Sequence, residues 1–477
     1  MDPSAFRRHG HELVDWIAEY LEHPERYPVL SRVRPGEIAA ALPSEAPEAP
    51  EAFGAIMADF ERVLVPGLTH WNHPSFLAYF AITGSAPGIL ADLLSAALNQ
   101  QAMLWRTSPA ATELELVTLG WLRKLIGLPD AFEGVIYDTA SIATMHALTA
   151  AREAAVADVR TRGLAARADV PALRVYCSEE AHSSVDKAVI AIGLGHDSLR
   201  RIAVDDSFRM RADHLQNAIE EDRRAGRLPV AVVATVGTTS TTSVDPVAAI
   251  ADICGRECVW LHVDAAYGGA AAILPSHAHV LAGADRADSL VVNPHKWLFV
   301  PFDLSAFYCR RMDVVRSAFA LTPEYLRTDE TGAVHNLMDT GVQLGRRFRA
   351  LKLWMVLRSF GAHAIREHLA RHIELARELA AWVDADPDFE RLAPVPFSVV
   401  CFRWAPRGLG DEETERANER LLHAVNDTGE VFLSHTRVRG RFALRIAIGH
   451  LNTRDEHVRG AWNLLRACAA RLANASA

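Results

Sequence analysis

The chain has 477 residues, of which 50% are hydrophobic and 23% are charged, and its formal net charge is −9. This length allows about three domain-sized units, and the composition is typical of a soluble globular enzyme. The negative net charge argues against a nucleic-acid-binding surface. No apolar run reaches the roughly 18 residues of a membrane span, and the N-terminus lacks the pattern of a secretory signal. We therefore expect neither nucleic acid nor a membrane among its partners.

The cysteines are scattered and show no paired framework: Cys177, Cys254, Cys258, Cys309, Cys401 and Cys468. Cys254 and Cys258 alone cannot complete a metal site, so we expect no metal. Reduced thiols of this kind are typical of a cytoplasmic protein.

The first hundred residues predict helices joined by connectors. Apolar residues at helical spacing predict a helix over residues 4–22, and its apolar face must cover another surface. A Pro/Glu/Ala-rich connector follows at 42–50, and a helical pattern returns at about 53–65. Residues 71–80 are rich in aromatic side chains. For most of these side chains we expect a position in the hydrophobic core.

From about residue 100 to 360, apolar strands alternate with helical stretches. The strands are predicted near 134–137, 174–178, 200–204, 230–236, 259–263, 289–292 and 303–308. This rhythm predicts a largely parallel, seven-stranded sheet with helices on both faces.

Beyond about residue 361 the pattern changes to that of a smaller α+β unit. Its helices are predicted at about 363–384, 411–426 and 454–472, and its strands near 397–403, 430–434 and 441–447. We therefore expect an N-terminal helical segment (1–95), a large α/β domain (96–360) and a small C-terminal domain (361–477).

One lysine directly follows a buried strand. The strand predicted at 289–292 ends at Asn293, and Lys296 then precedes apolar sequence that begins at Trp297. An ammonium group in such a place loses hydration, so its pKa should fall, as an amine that reacts with a carbonyl requires. The alternative is a surface lysine that lies along the tryptophan.

A carboxylate ends the preceding strand of the predicted sheet. Asp264 follows the strand at 259–263 and is itself followed by Ala265 and Ala266. The carboxyl ends of parallel strands are where α/β sheets build their sites. Pyridoxal phosphate needs both groups, a lysine for its aldehyde carbon and an acid for its ring nitrogen.

These stretches resemble the group II pyridoxal-phosphate decarboxylases, above all the aromatic-L-amino-acid decarboxylases, and the resemblance runs from about Phe6 to Trp462. It implies the type I, aspartate aminotransferase-like fold of pyridoxal-phosphate-dependent transferases. It also implies pyridoxal 5'-phosphate bound through a Schiff base at Lys296. It further implies a homodimer with active sites at the interface, in which the leading helix clasps a second subunit; the alternative is that this helix packs on its own subunit.

The cofactor's phosphate is expected at a strand-to-helix turn. Residues 134–141 lead into a helix predicted at 142–159, and a helix start offers free N–H groups. The resemblance implies phosphate contacts from Thr139, Ala140, Ser141, Asn293 and His295. Asp138 departs from the family pattern, and because a carboxylate repels phosphate we expect its side chain to turn away.

The resemblance implies further residues around the cofactor ring. His182 would stack on one face of the ring and handle protons, and Ala266 would lie below it. Thr239 and Asp245 would lie close to the cofactor. For Asp245 the alternative is that it only starts the next helix, together with the following proline.

A long polar loop at 321–332 suits a mobile lid. Tyr325 matches a family tyrosine that returns a proton to the substrate α-carbon, so with Lys296, His182 and Asp264 it is a candidate catalytic residue. Its presence favours an amine over an aldehyde product, although an ordinary loop tyrosine remains the alternative. The neighbouring stretch at 336–339 lacks the arginine that the family has there, which leaves contacts from this segment to the substrate carboxylate open.

The family's substrate pocket predicts an aromatic amino acid such as tryptophan, phenylalanine or tyrosine. The matching positions are Trp71, Tyr79, Phe80, Gln101 and Met103. Two alternatives stay open: a different pyridoxal-phosphate enzyme, such as an aldehyde synthase or a transaminase, and a pyridoxal-phosphate-binding homologue without turnover.

Overall fold

A computed structural model describes residues 1–321 and 334–476. Its helices are α1 (Pro3–Glu22), α2 (Glu37–Ala41), α3 (Phe53–Asp59), α4 (Ala86–Leu98), α5 (Pro109–Leu125), α6 (Ala140–Ala155), α7 (Val159–Arg162), α8 (Ser184–Ala191), α9 (Ala212–Arg224), α10 (Val247–Glu257), α11 (Pro294–Trp297), α12 (Met312–Phe319), α13 (Ala350–Ala385), α14 (Asp411–Asn426) and α15 (Asp455–Ser476). Its strands are β1 (Glu133–Tyr137), β2 (Leu173–Ser178), β3 (Leu199–Ile202), β4 (Leu228–Thr235), β5 (Trp260–Asp264), β6 (Ser289–Val292), β7 (Ser305–Cys309), β8 (Phe389–Arg391), β9 (Val399–Trp404), β10 (Ser434–Val438) and β11 (Arg441–Ala447).

The larger sheet has seven strands in the order β1-β7-β6-β5-β4-β2-β3. The run from β6 to β3 is parallel, whereas β7 pairs antiparallel with both β6 and β1. Every residue of β5 and β6 is buried. Strands covered on both faces need apolar side chains in both directions, which is why these segments read as continuous apolar runs. The predicted mostly parallel, seven-stranded sheet is confirmed.

The core of this sheet packs against α6 and α8. Small residues of α6, such as Ala143 and Ala147, are fully buried and lie in one hydrophobic cluster with Val175 of β2 and Val233 of β4. Alanines let the helix approach the sheet closely, while the branched strand residues fill the space between them. Burying each valine side chain contributes about 1.5–3 kcal/mol. This packing fixes the start of α6 at one end of the sheet.

The chain divides into two compact units. One comprises residues 1–81, 381–391 and 402–477, and the other comprises 82–380 and 392–401. The division predicted at residues 95 and 360 stays a prediction. Within the described parts of the chain, no helix combines the length and the apolar run needed to cross a bilayer.

The C-terminal strands differ in part from the prediction. A four-stranded sheet has the order β10-β11-β9-β8, and β8 (Phe389–Arg391) was not predicted. The strand predicted at 430–434 is wrong: β10 begins at Ser434 instead. The long helix α13 starts at Ala350, well before residue 363, and contains a break at Gly361, whose φ of 68° is a conformation that glycine tolerates.

Candidate active site

The candidate site lies where β5 and β6 end side by side. Asp264, the last residue of β5, pairs in register with Thr235 of β4 and Val291 of β6. Its carboxylate is only 5% exposed, and the Ala266 N–H donates to Oδ1 at 3.1 Å. The turn after the strand thus presents a nearly buried carboxylate at the carboxyl end of the sheet, as predicted for an α/β site.

Lys296 lies on the short helix α11 directly after β6. Its own N–H donates to Asn293 O at 2.9 Å. The next residue, Trp297, is fully buried, stacks on Tyr267 with ring centroids 4.7 Å apart, and donates its indole N–H to His372 at 3.0 Å. This anchor fixes the helix, while the Lys296 side chain itself is only partly buried. The predicted fall of the Lys296 pKa stays a prediction.

His182 lies near both of these groups. Desolvation lowers the pKa of its imidazole, the Asp264 carboxylate opposes this shift, and the Lys296 ammonium adds to it. The Ser184 N–H donates to His182 Nδ1 at 3.1 Å, so in the neutral ring the proton lies on Nε2. The three predicted groups are therefore close enough to interact electrostatically, and the imidazole has a fixed tautomer.

The predicted strand-to-helix turn is present. Helix α6 begins at Ala140, and the extended residue Thr139 precedes it as the N-cap. Asp138 Oδ1 accepts both the N–H and the hydroxyl of Thr139, the latter at 3.1 Å, and the expectation that this side chain turns away from phosphate stays a prediction. Its Oδ2 accepts the amide of Gln343 at 3.3 Å.

Asn293 and His295 are both nearly buried. Asn293 Oδ1 accepts the Ser305 hydroxyl at 2.6 Å, so its NH₂ group is directed elsewhere. The Leu304 N–H donates to His295 Nδ1 at 3.0 Å, which places the proton of the neutral ring on Nε2. Burial, together with the nearby Lys296 charge, lowers the His295 pKa to about 3. Each side chain therefore presents an uncharged N–H donor.

The other two residues implied near the cofactor differ in their surroundings. Thr239 is exposed. Asp245 is buried, and its two carboxylate oxygens accept the N–H groups of Met210 (2.7 Å) and Thr235 (2.8 Å). Its side chain does not cap α10, which begins two residues later at Val247. Burial raises the Asp245 pKa to about 7, against the effect of both N–H donors. These contacts show that Asp245 holds the loop in which it lies against β4.

Two of the predicted substrate residues lie in an aromatic cluster of the first compact unit. Tyr79 is exposed, and Trp71, Phe76 and Phe432 have rings within 6.2 Å of it or of each other. The neighbouring Phe80 lies under the guanidinium of Arg445, 4.8 Å from the ring centroid. Arg445 is 4% exposed and donates to Ala78 O at 2.8 Å.

Arg445 is a residue that sequence reasoning missed. Its only signal is an arginine in the middle of the strand Arg441–Ala447, whose other residues after the first are apolar. A buried guanidinium over a ring gains a cation–π contact and holds the orientation of that ring. Arg445 therefore fixes the position of Phe80.

The remaining predicted substrate residues lie in the second unit. Met103 is partly buried and packs with Leu104 and Met338. Gln101 is exposed, but its Oε1 accepts the N–H of Arg346. The predicted lid residue Tyr325 lies outside the described residues.

These residues fit pyridoxal phosphate. The fit rests on a nearly buried carboxylate, a partly buried lysine and an imidazole of fixed tautomer that interact, together with a helix start and the uncharged donors of His295 and Asn293. Across residues 1–321 and 334–476, no group of three or more His, Cys, Asp or Glu side chains is arranged to hold a metal ion.

Comparison with known proteins places the chain in a family. The model of the pyridoxal-dependent decarboxylase conserved domain matches residues 35–405. An aromatic-L-amino-acid decarboxylase of Sus scrofa is 41% identical over 99% of this chain and 98% of its own. A phenylacetaldehyde synthase of Arabidopsis thaliana is 39% identical, over 98% and 96%. A crystal structure of Oryza sativa TDC with PLP and tryptamine superposes with a TM-score of 0.95 at 36% identity and covers 99% of both chains.

The chain belongs to the pyridoxal-dependent decarboxylase family. It has the type I fold of pyridoxal-phosphate enzymes, and its cofactor is pyridoxal 5'-phosphate. The protein is therefore a pyridoxal-phosphate-dependent carboxy-lyase, and the expectations drawn from the family resemblance on fold and cofactor are confirmed.

Proposed function

We propose that the protein converts an aromatic L-amino acid, of the tryptophan, phenylalanine or tyrosine type, to its amine and CO₂. The observation that carries the proposal is the interaction of His182 with both Asp264 and Lys296, in a chain similar over its whole length to aromatic-L-amino-acid decarboxylases. Bound pyridoxal phosphate supplies an electron-accepting ring that stabilises the charge left on the α-carbon as CO₂ departs.

In this proposal three side chains surround the cofactor ring. Lys296 Nζ would hold the cofactor through its aldehyde carbon. The Asp264 carboxylate would accept a hydrogen bond from the protonated ring nitrogen. His182 would lie against the ring face, where stacking contributes about 0.5–1.5 kcal/mol, so its main effect would be orientation. Ala266 leaves room on the opposite face because it has no side chain beyond Cβ.

In this proposal the phosphate is held by uncharged N–H donors. The start of α6 provides main-chain N–H groups at Ala140 and Ser141 and the positive end of the helix dipole. His295 adds its Nε2–H and Asn293 its NH₂ group. Thr139 takes part once phosphate competes with Asp138 for its donors, and Thr239 and Asp245 support the loop beside the ring.

The aromatic substrate class is supported by the side chains at the matching positions. Trp71, Tyr79, Phe80 and Met103 are aromatic or adaptable apolar residues, which suit a flat apolar side chain. A single carbon or hydroxyl changes binding in an apolar pocket by about 1–3 kcal/mol, so several aromatic amino acids would be accepted.

A homodimer is part of the proposal. The second compact unit exposes a row of leucines on α4 at helical spacing (Leu90, Leu93, Leu94 and Leu98), together with Val117 and Trp121 on α5. Apolar patches of this kind mark interaction sites in soluble proteins. We assign this surface to a second copy of the chain. A reducing, cytoplasmic location is also proposed, in keeping with six free thiols.

A second candidate function is oxidative conversion to the aldehyde, which the similarity to a phenylacetaldehyde synthase favours. Tyr325 argues for the amine, since it matches the proton-returning tyrosine of the decarboxylases. The test is a panel of the twenty amino acids scored for CO₂, amine, aldehyde and peroxide. Aromatic amines with stoichiometric CO₂ support the proposal. Aldehyde with peroxide supports the second function, and an absence of CO₂ from every amino acid contradicts both.

A further inference from the structure

Two segments far apart in the sequence are joined beside the candidate site. We call residues 101–105 the pocket segment, because it carries Gln101 and Met103, and residues 336–346 the bridging segment. Two hydrogen bonds join their backbones, Ala102 N–H to Arg346 O (2.9 Å) and Met338 N–H to Met103 O (3.1 Å), and the Trp105 N–H donates to the side-chain Oδ1 of Asn336 (3.2 Å). The Gln101 side chain adds a fourth by accepting the Arg346 N–H. Four of the five residues of the pocket segment are thus hydrogen-bonded to the bridging segment.

The Arg346 side chain holds the bridging segment to the sheet. Its guanidinium Nη2 donates to Glu115 Oε1 of α5 at 2.5 Å and to Ile136 O of β1 at 3.2 Å, and Nη1 donates to Leu337 O at 3.5 Å. Glu115 Oε1 also accepts the Ile136 N–H at 2.8 Å. One buried ion pair therefore connects α5, β1 and both ends of the bridging segment.

Both partners of this pair are more than nine-tenths buried, with side-chain exposures of 8% for Arg346 and 2% for Glu115. A buried ion pair is often no more stabilising than apolar residues of similar volume, but removing one partner leaves an uncompensated charge. Its clearest physical effect is geometric, because the planar guanidinium accepts few arrangements. Such a pair is better suited to fixing a position than to adding stability.

The bridging segment also contacts the phosphate turn. The hydroxyl of Tyr137 donates to Thr340 O, and Gln343 donates to Asp138 Oδ2 at 3.3 Å. The same segment therefore contacts both the residues proposed for the substrate and the two residues that directly precede Thr139 in the proposed phosphate turn.

We propose that Arg346 and Glu115 are positioning residues that set substrate specificity by fixing the pocket segment, and Met103 above all, relative to β1 and the phosphate turn. This inference rests on the proposed function for the identity of the substrate. Neither residue is expected to contact the substrate or the cofactor.

The test uses two mild variants and a matched control. Arg346→Lys keeps the charge but loses the fork that contacts Glu115, Ile136 and Leu337 together, and Glu115→Gln removes the charge of its partner. Asp222→Asn is the control, since Asp222 is a fully buried carboxylate held by Arg200 and Arg227 in the same unit. We expect KM for the best aromatic substrate to rise about tenfold in both test variants, with kcat within twofold.

The ratio of kcat/KM between tryptophan and phenylalanine should shift at least threefold in the test variants and stay unchanged in the control. A role in stability alone would lower the melting temperature of all three variants and leave KM and this ratio within twofold, which would overturn the inference. If Arg346→Lys does not fold, Glu115→Gln carries the test.

Hydrogen exchange of the native and variant proteins measures the same claim without turnover. The amides of the pocket segment should exchange at least tenfold faster in Glu115→Gln and at the native rate in Asp222→Asn. Native exchange rates in both would overturn the inference. A native protein that releases no CO₂ from any amino acid would instead overturn the proposed function, and the exchange result would still decide this inference.

Discussion

The main-chain N–H of Leu304 donates to Nδ1 of His295 at 3.0 Å, and this bond leaves the ring's proton on Nε2. A buried imidazole with a pKa of about 3 stays neutral at physiological pH, so His295 is a donor of fixed direction rather than a cation. In the proposed site this donor meets the cofactor phosphate. Hydrogen bonds to charged groups contribute about 1.5–3 kcal/mol.

Replacing His295 by phenylalanine keeps the ring but removes this donor. We expect the dissociation constant of pyridoxal phosphate to rise roughly 10- to 100-fold, the equivalent of that hydrogen bond. Titration of the apoprotein, followed by cofactor absorbance, measures the change. His295→Gln serves as the control because it retains an N–H donor, and it should recover part of the affinity. An equal affinity for pyridoxal phosphate in the native protein and in His295→Phe would contradict the proposed contact between His295 and the phosphate.

Asp264→Asn should abolish most activity while the cofactor stays bound. The ring nitrogen would lose the carboxylate that keeps it protonated, and breaking a buried charge pair costs about 3–5 kcal/mol. This corresponds to a loss of roughly two to four orders of magnitude in kcat. Stopped-assay CO₂ release gives kcat, and the absorbance band gives cofactor content. A variant with full cofactor content and native kcat would contradict the pairing.

Much of this arrangement could be predicted from the sequence. Asp264 and Lys296 each follow a short apolar run, and parallel strands bring such ends to one edge of a sheet. The turn at Thr139 was predictable in the same way, because strand-to-helix transitions carry their own pattern. The partners of the Asp138 side chain were not predictable, since they depend on which donors, such as the Gln343 amide, lie nearest in the fold.

Contacts between residues that are distant in the sequence could not be predicted. No local pattern relates Gln101 to Arg346, or Glu115 to either, because such pairings depend on how α5 and β1 pack. The start of β10 could not be predicted because its polar residues, including His435 and Arg437, obscure the alternation of apolar and polar residues that marks a half-buried strand. The role of Arg445 could not be predicted for a related reason: an arginine in a strand is expected to face solvent unless its burial is known.

Buried neutral histidines should make the fold acid-sensitive. Burial lowers the His146 pKa to about 4 from an ordinary value of 6.5. The unfolded chain therefore binds a proton below pH 6.5 that the native state does not, and stability falls as pH drops from about 6.5 to 4. At pH 5 this one residue costs about 2 kcal/mol.

His146→Leu tests this directly, because leucine has no proton to bind. Urea unfolding at pH 7.5 and pH 5 should show a smaller loss of stability on acidification in the variant than in the native protein, by about 2 kcal/mol. His214→Leu, at an exposed position, is the matched control and should behave as the native protein does. Identical pH dependence in native protein and His146→Leu would contradict the assignment.

The row of exposed leucines on α4 predicts a dimer, and charged substitutions in this row should disrupt it. Leu93 and Leu94 are 51% and 48% exposed. Replacing both by aspartate should place four uncompensated charges in the interface of a symmetric dimer and shift light-scattering mass from dimer to monomer. Leu409→Asp, at another exposed leucine, should leave the mass unchanged. A monomeric native protein, or a double variant that remains dimeric, would contradict the assigned surface.

Tyr325→Phe should change the product rather than the binding of the substrate. Without the phenol that returns a proton to the α-carbon, we expect aldehyde and peroxide to rise relative to amine while CO₂ release continues. Chromatography of the products, with a peroxide assay, measures the ratio. Tyr20→Phe is a suitable control because that phenol bonds His70 in the first unit. An unchanged amine-to-aldehyde ratio would contradict the proposal that Tyr325 returns the proton to the α-carbon.

The central claim is that the cofactor is bound by the nitrogen of Lys296. The chain has four lysines, at positions 124, 187, 296 and 352, so the attachment point can be read without ambiguity. Reduction of the holoenzyme with borohydride, followed by digestion and mass spectrometry, should place the pyridoxyl mass on the peptide that contains Lys296 and nowhere else. A label on any of the other three lysines, or no label on a protein that retains its cofactor, would contradict the account.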